Sequence, residues 1–272
     1  MKRIIAIIGV VGIVSLAAQA QVLLSSGLTY SQNFDTLATS SAGGAPSWTD
    51  NSTLLGWYAR RAATTSTGPY GSFTYASLRL SNGSENNGWV YDYGTWSSTD
   101  RALGSVGSGT IKSNAFGIEI RNDTANAVTL DNIAYTGEEW RIGQGNTANA
   151  NTLWFGYQTS SSAITDPLNT STWTAFTALN FVNPVFATTT YGPIDGNAAG
   201  NYTSISSTMT GITLNPGDEI FLRWVDPDET GNDMGLAIDN VVVTFSQVPE
   251  PSTAVLGGLA LFGLIAWRRM RR

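Results

Sequence analysis

The chain has 272 residues, contains neither cysteine nor histidine, and carries a formal net charge of −6. These absences exclude disulfide bonds, nucleophiles activated by histidine, haem held by histidine, and zinc sites with Cys or His ligands. Six of the 14 basic residues but only one of the 20 acidic residues lie outside residues 21–247, so that segment alone has a net charge of −11. Such a charge disfavours binding to nucleic acids, whose phosphates it would repel.

A secretory signal peptide is predicted at residues 1–20. Two basic residues precede an apolar run at 4–17, and the small-residue box Ala18-Gln19-Ala20 has the pattern of a cleavage site. The mature protein would then start near Gln21, after export by the Sec machinery. An uncleaved N-terminal anchor is the alternative, which the cleavage box disfavours.

Residues 21–247 are predicted to form one large all-β domain. The segment is rich in Thr, Ser, Gly, Asn and aromatic residues and has no sustained helical periodicity. A single antiparallel β-sandwich of jelly-roll type would bury its strands. About eleven strands are predicted between turn-forming residues, at Thr29–Phe34, Leu54–Ala59, Ser77–Leu80, Gly88–Tyr93, Ala115–Arg121, Val128–Trp140, Thr152–Gln158, Thr172–Phe176, Tyr202–Met209, Glu219–Val225 and Leu236–Phe245.

Residue alternation predicts the orientation of some of these strands. In Ala115–Arg121, Glu119 and Arg121 would share a solvent-facing side, opposite three large apolar residues. In Val128–Trp140 the parity of the apolar positions switches near the start, which predicts a bulge or a short turn at Asp131-Asn132.

The last predicted strand contains a candidate metal ligand, Asp239. Alternation places Asp239 on the same face as four apolar residues, Ala237, Val241, Val243 and Phe245. An ionised carboxylate in such a row is costly unless it is paired, hydrogen-bonded or bound to a metal. The alternative is a carboxylate that accepts backbone hydrogen bonds at a turn.

Two short stretches resemble jelly-roll domains of the group that contains carbohydrate-binding modules and MAM domains. Ile238-Asp239-Asn240-Val241 is similar to their closing strand, and Asn33-Phe34-Asp35, followed by Trp48, is similar to their opening. The resemblance implies that Asp35 and Asp239 bind a structural Ca²⁺. Asp35 stands where the group usually has a glutamate, whose side chain reaches further.

Two other acidic segments are candidate sites. Asp226–Asp233 holds four carboxylates and Asn232 and could bind Ca²⁺, but a solvated turn between strands is the favoured interpretation. Glu138 and Glu139 would point to opposite faces of a strand and so could not act together on one sugar bond. Glu139 and Arg141 would share a face and could form an ion pair.

Tryptophan is abundant between the two termini, at Trp48, Trp57, Trp89, Trp96, Trp140, Trp154 and Trp173. Most of these side chains are expected to fill the space between two sheets. An exposed line of two or three aromatic residues on one sheet would instead indicate glycan binding, because aromatic rings stack on sugars.

Residues 248–272 form a separate C-terminal module. Val248-Pro249-Glu250-Pro251 precedes an uncharged run at 252–267, which as a helix would be roughly 24 Å long against a hydrocarbon core of roughly 30 Å. The chain then ends in a basic cluster that would stay in the cytoplasm, made up of Arg268, Arg269, Arg271 and Arg272 around one methionine.

This module closely resembles the PEP-CTERM protein-sorting signal of Gram-negative bacteria. The resemblance implies recognition by an exosortase through Pro249, Glu250 and Pro251, and transient anchoring in the inner membrane by the short transmembrane helix. Removal of the helix would deliver the protein to the cell surface or the extracellular matrix. A permanent C-terminal anchor is the alternative.

Three functions are consistent with these features. The family's association with exopolysaccharide implies a non-catalytic surface or matrix protein. The alternative is a carbohydrate-binding module with a defined glycan ligand. A glycosidase or lyase is the third, and a carboxylate glycosidase would need two carboxylates about 5–9.5 Å apart in a cleft.

Overall fold

The structure, a computed structural model, describes residues 21–37, 44–65, 68–144 and 150–249. These residues form two short 3₁₀ helices, Leu24–Ser26 and Thr177–Leu179. They also form the following strands in chain order: β1 (Val22–Leu23), β2 (Thr29–Gln32), β3 (Trp57–Thr65), β4 (Gly68–Thr74), β5 (Arg79–Ser81), β6 (Trp89–Tyr93), β7 (Ala102–Val106), β8 (Ile111–Arg121), β9 (Val128–Ile142), β10 (Thr152–Ser160), β11 (Thr174–Ala175), β12 (Phe181–Val182), β13 (Gly192–Pro193), β14 (Tyr202–Thr208), β15 (Thr213–Leu214), β16 (Glu219–Pro227) and β17 (Gly235–Gln247).

The strands form two sheets that pack face to face. Sheet A has the order β11-β10-β16-β8-β3-β4, with β1 beside β8 and β12 beside β10. Sheet B has the order β13-β9-β17-β7-β6-β5, with β14 and β15 also beside β9 and β2 beside β17. Among the described strands, parallel pairing occurs between β1 and β8 and between β5 and β6. The predicted all-β sandwich is therefore confirmed.

The core between the sheets is built around Trp224 on β16. Its ring stacks on Trp57, with 6.1 Å between centroids, and meets Phe155 edge-on at 5.3 Å. Tyr135 of sheet B meets the same indole edge-on at 5.4 Å. Alternation explains this arrangement, because every second residue of β16 faces sheet B.

Strand β9 runs unbroken from Val128 to Ile142. Its pairing with β17 steps from Asn132 opposite Thr244 to Leu130 opposite Phe245, which leaves Asp131 as an extra residue. The bulge predicted from the parity switch is thus present, and the alternative of a turn that splits the strand is wrong.

The solvent-facing side predicted for β8 is wrong at Glu119, which is fully buried, whereas Arg121 is exposed. The segment after β10 folds back over this part of sheet A, and the backbone N–H of Ile164 donates to Glu119 Oε1 at 2.8 Å. The Tyr58 hydroxyl donates to Glu119 Oε2 at 3.0 Å. Alternation within a strand carries no information about such a covering segment.

The face predicted for Asp239 is also partly wrong. Asn240 adopts a left-handed conformation with φ of 51°, and the pairing of β17 with β9 shifts register between Asp239 and Val242. This bulge reverses the alternation. Asp239 keeps the outer face together with Ala237, whereas the three later apolar residues face the core between the sheets, namely Val241, Val243 and Phe245.

Both predicted targeting segments fall largely beyond this description. The signal peptide at residues 1–20 and residues 250–272 of the C-terminal module lie outside the described residues. In the described ranges, no helix has the length and apolar character needed to cross a membrane.

Candidate functional site

An open groove lies on the outer face of sheet A and has a volume of about 350 Å³. Trp154 of β10 and Trp173, just before β11, both line it, and we call it the Trp154–Trp173 groove. The remaining described residues of its lining are mostly apolar or small: Phe155, Gly156, Ala175, Arg223, Val225 and Pro227.

The groove follows from strand alternation and register. Leu153 and Phe155 face the core, so Trp154 and Gly156 face outward. Trp154 lies opposite Val225, and Gly156 lies opposite Arg223 on β16. Trp154 is 48% exposed and forms one wall. Gly156 has no side chain, which keeps the floor of the groove low.

Trp173 is held rigidly at the other wall. Its indole meets Phe221 edge-on at 5.8 Å, and its Nε1–H donates to Asn169 Oδ1 at 3.1 Å. Phe221 belongs to a small cluster with Tyr58 and Ile164 on the outside of sheet A. The segment between β10 and β11 therefore covers one part of the outer face and leaves the groove beside it open.

Arg223 crosses the groove beside Trp173. Its guanidinium carbon lies 3.8 Å from the centroid of the Trp173 ring, and Nη1 donates to the carbonyl oxygen of Pro167. Its Nε is buried, and among the described residues it has no hydrogen-bond partner. Burial lowers the pKa of Arg223 to about 10, and the charge of Asp166 opposes part of that shift.

Sheet B presents a contrasting group of carboxylates, which we call the acidic cluster: Asp35, Asp100, Glu138, Asp195 and Asp239. Asp239 is only 2% exposed, and its Oδ2 accepts from the side-chain amide of Asn240 at 2.6 Å. Its Oδ1 is buried and has no hydrogen-bond partner among the described residues. Glu138 is buried and accepts from Trp140 Nε1 at 2.8 Å.

The carboxylates of the acidic cluster disfavour one another's ionisation. Burial, together with the charges of Asp100 and Asp35, raises the pKa of Asp239 to about 7. Burial raises the pKa of Glu138 to about 8, with added contributions from Asp239, Asp100 and Asp195. The buried members are therefore largely protonated below about pH 7, and above it the cluster gains negative charge that its own side chains do not neutralise.

The structure brings the predicted ligands Asp35 and Asp239 into this one cluster. Asp35 is exposed and accepts from Asn33 Nδ2 at 2.6 Å and from the backbone N–H of Arg101 at 3.2 Å. The Arg101 guanidinium turns instead to buried Asp92, with Nε 2.6 Å from Oδ1. In the described part of the chain, no group of three or more acidic side chains has the arrangement of a metal site.

The acidic segment between β16 and β17 is a solvated turn only at its middle, where residues 230–232 are exposed, and its two end carboxyls depart from that prediction. Asp226 and Asp233 are both buried. Asp226 Oδ2 accepts from Ser105 Oγ at 2.6 Å, and Asp233 Oδ1 accepts from the backbone N–H of Glu229 at 3.1 Å. These two carboxyls are part of the packed end of the sandwich.

Two further buried glutamates, Glu139 and Glu119, are held by contacts within the domain. Glu139 accepts from Val185 N–H at 2.8 Å, whereas Arg141 donates to the carbonyl oxygen of Gly83 at 2.9 Å, so the suggested Glu139–Arg141 ion pair is absent among the described residues. Glu119 and Glu219 are in contact, but both are buried. Burial, with help from Glu219, raises the pKa of Glu119 to about 7.

Sequence reasoning missed Gly156 and Arg223 as groove residues. The pattern Trp154-x-Gly156 does place two outward positions side by side on one strand. The position of Arg223 opposite Gly156 depends on the register between β10 and β16, for which the sequence contains no separate signal.

Comparison with protein families identifies the C-terminal module. Residues 247–272 match the PEP-CTERM protein-sorting motif. The chain carries this sorting motif, which indicates export and targeting to the cell surface. The match does not extend into the sandwich. No curated protein matches the chain.

Solved structures with some similarity to the chain are β-sandwich domains of low identity. A cleaved adhesin domain of Lys-gingipain from Porphyromonas gingivalis is 13% identical with a TM-score of 0.36, over 75% of this chain and 99% of that one. A xylan-binding domain from CBM 22 is 8% identical with a TM-score of 0.35, over 79% and 92%. TM-scores this low carry no argument for a shared ligand.

Proposed function

We propose that this is an exported, exosortase-processed protein of the cell surface or extracellular matrix that binds polysaccharide without catalysis. The Sec machinery exports it, the C-terminal helix anchors it transiently in the inner membrane, and an exosortase removes that helix. The sorting motif supports this route. The sandwich then contributes to an exopolysaccharide layer by holding its chains.

The observation that carries the binding proposal is the Trp154–Trp173 groove. Sugar rings present apolar C–H faces that stack on indole rings, and polar groups at the edge fix their orientation. Trp154 offers an exposed ring and Trp173 is already fixed by its neighbours. A site that is rigid before binding loses less conformational entropy when the ligand arrives.

The chemistry of the groove supports binding rather than catalysis. The described residues that line it include no Asp or Glu. Histidine and cysteine are absent from the whole sequence. General acid-base or nucleophilic attack on a glycosidic bond would need such groups close to the bound sugar.

Affinity electrophoresis of the purified full-length protein in mild detergent would test this function. Gels containing polysaccharides of different backbone chemistry should retard the wild type, and Trp154→Ala should abolish the retardation. Tyr202→Ala is the matched control, since Tyr202 is an aromatic residue of similar exposure outside the groove. Free migration of the wild type in every gel, or equal retardation of the Trp154 variant, would refute glycan binding at this groove.

We also propose that Asp35 and Asp239 bind a structural Ca²⁺. The buried, unpartnered Oδ1 of Asp239 and the uncompensated charge around it support a cation here. Because no third acidic side chain is suitably placed in the described part of the chain, amide, carbonyl and water oxygens would complete the shell. Asn33 and Asn240, which line a neighbouring cavity of about 370 Å³, supply such oxygens.

Thermal unfolding of the same preparation tests the ion. The melting temperature should rise on adding Ca²⁺ and fall in EDTA, because an ion that binds only the folded state stabilises it. An identical melting temperature in both conditions would eliminate the structural ion.

A further inference from the structure

Arg223 is a partly buried cation, with its Nε fully buried, and the described part of the protein places no carboxylate within 4.0 Å of it. Ion pairs within 4.0 Å form at Arg60 and Arg101, for example, but not at Arg223 in the described residues. Its contacts are the carbonyl oxygen of Pro167 and the face of Trp173. A carbonyl dipole and an aromatic ring offset the cost of desolvating a cation less completely than a carboxylate would.

The nearest acidic influence on Arg223 comes from Asp166, whose carboxylate is already bound elsewhere. Asp166 Oδ1 accepts from Ser72 Oγ at 3.0 Å and from the backbone N–H of Leu168 at 2.8 Å, and it lies 3.9 Å from Arg60 Nε. Asp166 therefore offsets only part of the cost of desolvating Arg223 and forms no ion pair with it among the described residues.

The guanidinium also lies where a ligand would pass. Arg223 lines the groove directly opposite Gly156, one step along the sheet from Trp154 and Val225. A planar guanidinium can bind a carboxylate with two parallel hydrogen bonds, a geometry that neutral sugar hydroxyls do not match.

We propose that the Trp154–Trp173 groove binds a uronic-acid polysaccharide, with the carboxylate of one sugar held by Arg223 and a neighbouring sugar ring stacked on Trp154. This proposal rests on the proposed function and adds the class of ligand. The net charge of −11 over residues 21–247 makes general electrostatic attraction of an acidic polymer unfavourable. Selectivity for such a polymer must then arise at a local cation.

Isothermal titration calorimetry with matched ligands tests the proposal on the full-length protein in mild detergent. The ligands are oligomers of galacturonate, glucuronate and mannuronate, each compared with its own methyl ester, which keeps the backbone and removes the charge. The wild type should bind at least one acid about tenfold more tightly than its ester, a difference of about 1.4 kcal/mol.

Variants assign that preference to Arg223. Arg223→Gln should bind acid and ester with the weaker affinity of the ester, and Arg223→Lys should keep only part of the preference because it lacks the planar fork. Arg121→Gln, which removes an exposed arginine outside the groove, should behave as the wild type. The lysine variant retains a positive charge and provides a second test if the glutamine variant does not fold.

The outcomes separate this inference from the proposed function. Equal binding of acid and ester by the wild type, both lost in Trp154→Ala, would overturn the uronate assignment and leave glycan binding intact. A preference that survives in Arg223→Gln would also overturn it. If a sulfated polymer binds as tightly as the uronates, the groove recognises anions in general and not carboxylates in particular. That result would overturn the uronate assignment. No binding of any oligomer would overturn the uronate proposal, and free migration in the gels as well would overturn both.

Discussion

The outer faces of the two sheets both hold ionisable groups that are partly or fully withdrawn from solvent, basic on one sheet and acidic on the other. On sheet A, Arg223 lies among aromatic side chains without an ion-pair partner among the described residues. On sheet B, Asp239 and Glu138 lie among other carboxylates. Buried charge is costly unless a partner compensates it. The comparison suggests an anionic glycan as the partner of the first face and a divalent cation as the partner of the second.

The largest expected effect is a pH dependence of stability. It arises from the buried carboxyls of sheet B and from other buried carboxyls of the domain. The pKa values of Glu119, Asp233 and Asp239 are raised to about 7, mainly by burial. The folded state therefore binds more protons than the unfolded state between about pH 4 and pH 7, so stability falls as pH rises through that window. In EDTA the melting temperature should be higher at pH 5 than at pH 8 by more than about 5 °C.

Calorimetry at constant ionic strength measures this dependence. Added Ca²⁺ should raise the melting temperature more at pH 8 than at pH 5, because an ion competes with protons for the same carboxylates. A melting temperature that increases steadily from pH 5 to pH 8 in EDTA would contradict the assignment of raised pKa values.

The next effect isolates Asp239. Asp239→Asn removes a buried charge while keeping the shape of the side chain, and should stabilise the protein at pH 8 in EDTA by about 2 kcal/mol. It should also abolish the response to Ca²⁺, while binding at the groove on sheet A stays unchanged. Denaturant unfolding with and without Ca²⁺ measures both. A variant that is less stable than the wild type in EDTA would show that Asp239 is compensated by groups within the protein.

A smaller effect isolates the groove on sheet A. Gly156→Val would fill its floor, since a Cβ there lies 3.3 Å from the Thr174 carbonyl oxygen and 3.7 Å from Arg223 Nε. Glycan affinity should fall about tenfold, or about 1.4 kcal/mol, with the Ca²⁺ response unchanged. Titration calorimetry measures the loss, and unchanged affinity would mean that the ligand does not enter the groove.

The smallest effect is expected at an aromatic residue that neither lines the groove nor is one of the proposed Ca²⁺ ligands. Tyr202 lies exposed on β14, and Tyr202→Ala should change stability by less than about 0.5 kcal/mol. Glycan affinity and the Ca²⁺ response should both stay at wild-type values. A loss of affinity in this variant would place part of the binding surface outside the Trp154–Trp173 groove.

Two bulges show how much of the fold the sequence could predict. The bulge at Asp131 was predictable because polar residues stand beside the parity switch in β9. The bulge at Asn240 was not, because both faces of β17 carry apolar side chains around it. When the bulge shifts the alternation by one residue, one apolar side chain takes the place of another on the core face. The sequence pattern therefore does not reveal the shift.

The candidate sites were predictable to different extents. Asp35 and Asp239 were predicted together as Ca²⁺ ligands from short stretches at opposite ends of the domain, and that role stays a prediction. Trp154 and Trp173 were named only as two tryptophans among seven. Both residues line one groove because the segment between β10 and β11 folds back over sheet A. This is a tertiary contact, and no periodicity in the sequence predicts it.

Strand β17 would carry the load if the domain is anchored through its C-terminal module, as proposed above. It pairs with β9 on one side and with β7 and β2 on the other, and the backbone N–H of Val248 still donates to Ala127 at 2.9 Å. The hydrogen bonds of an antiparallel ladder lie perpendicular to the strands. Tension along β17, applied through the C-terminal module, would load these hydrogen bonds in shear, so that many must break at once. Force perpendicular to the strand would instead break them one after another. An anchored domain would therefore resist pulling forces while it awaits release.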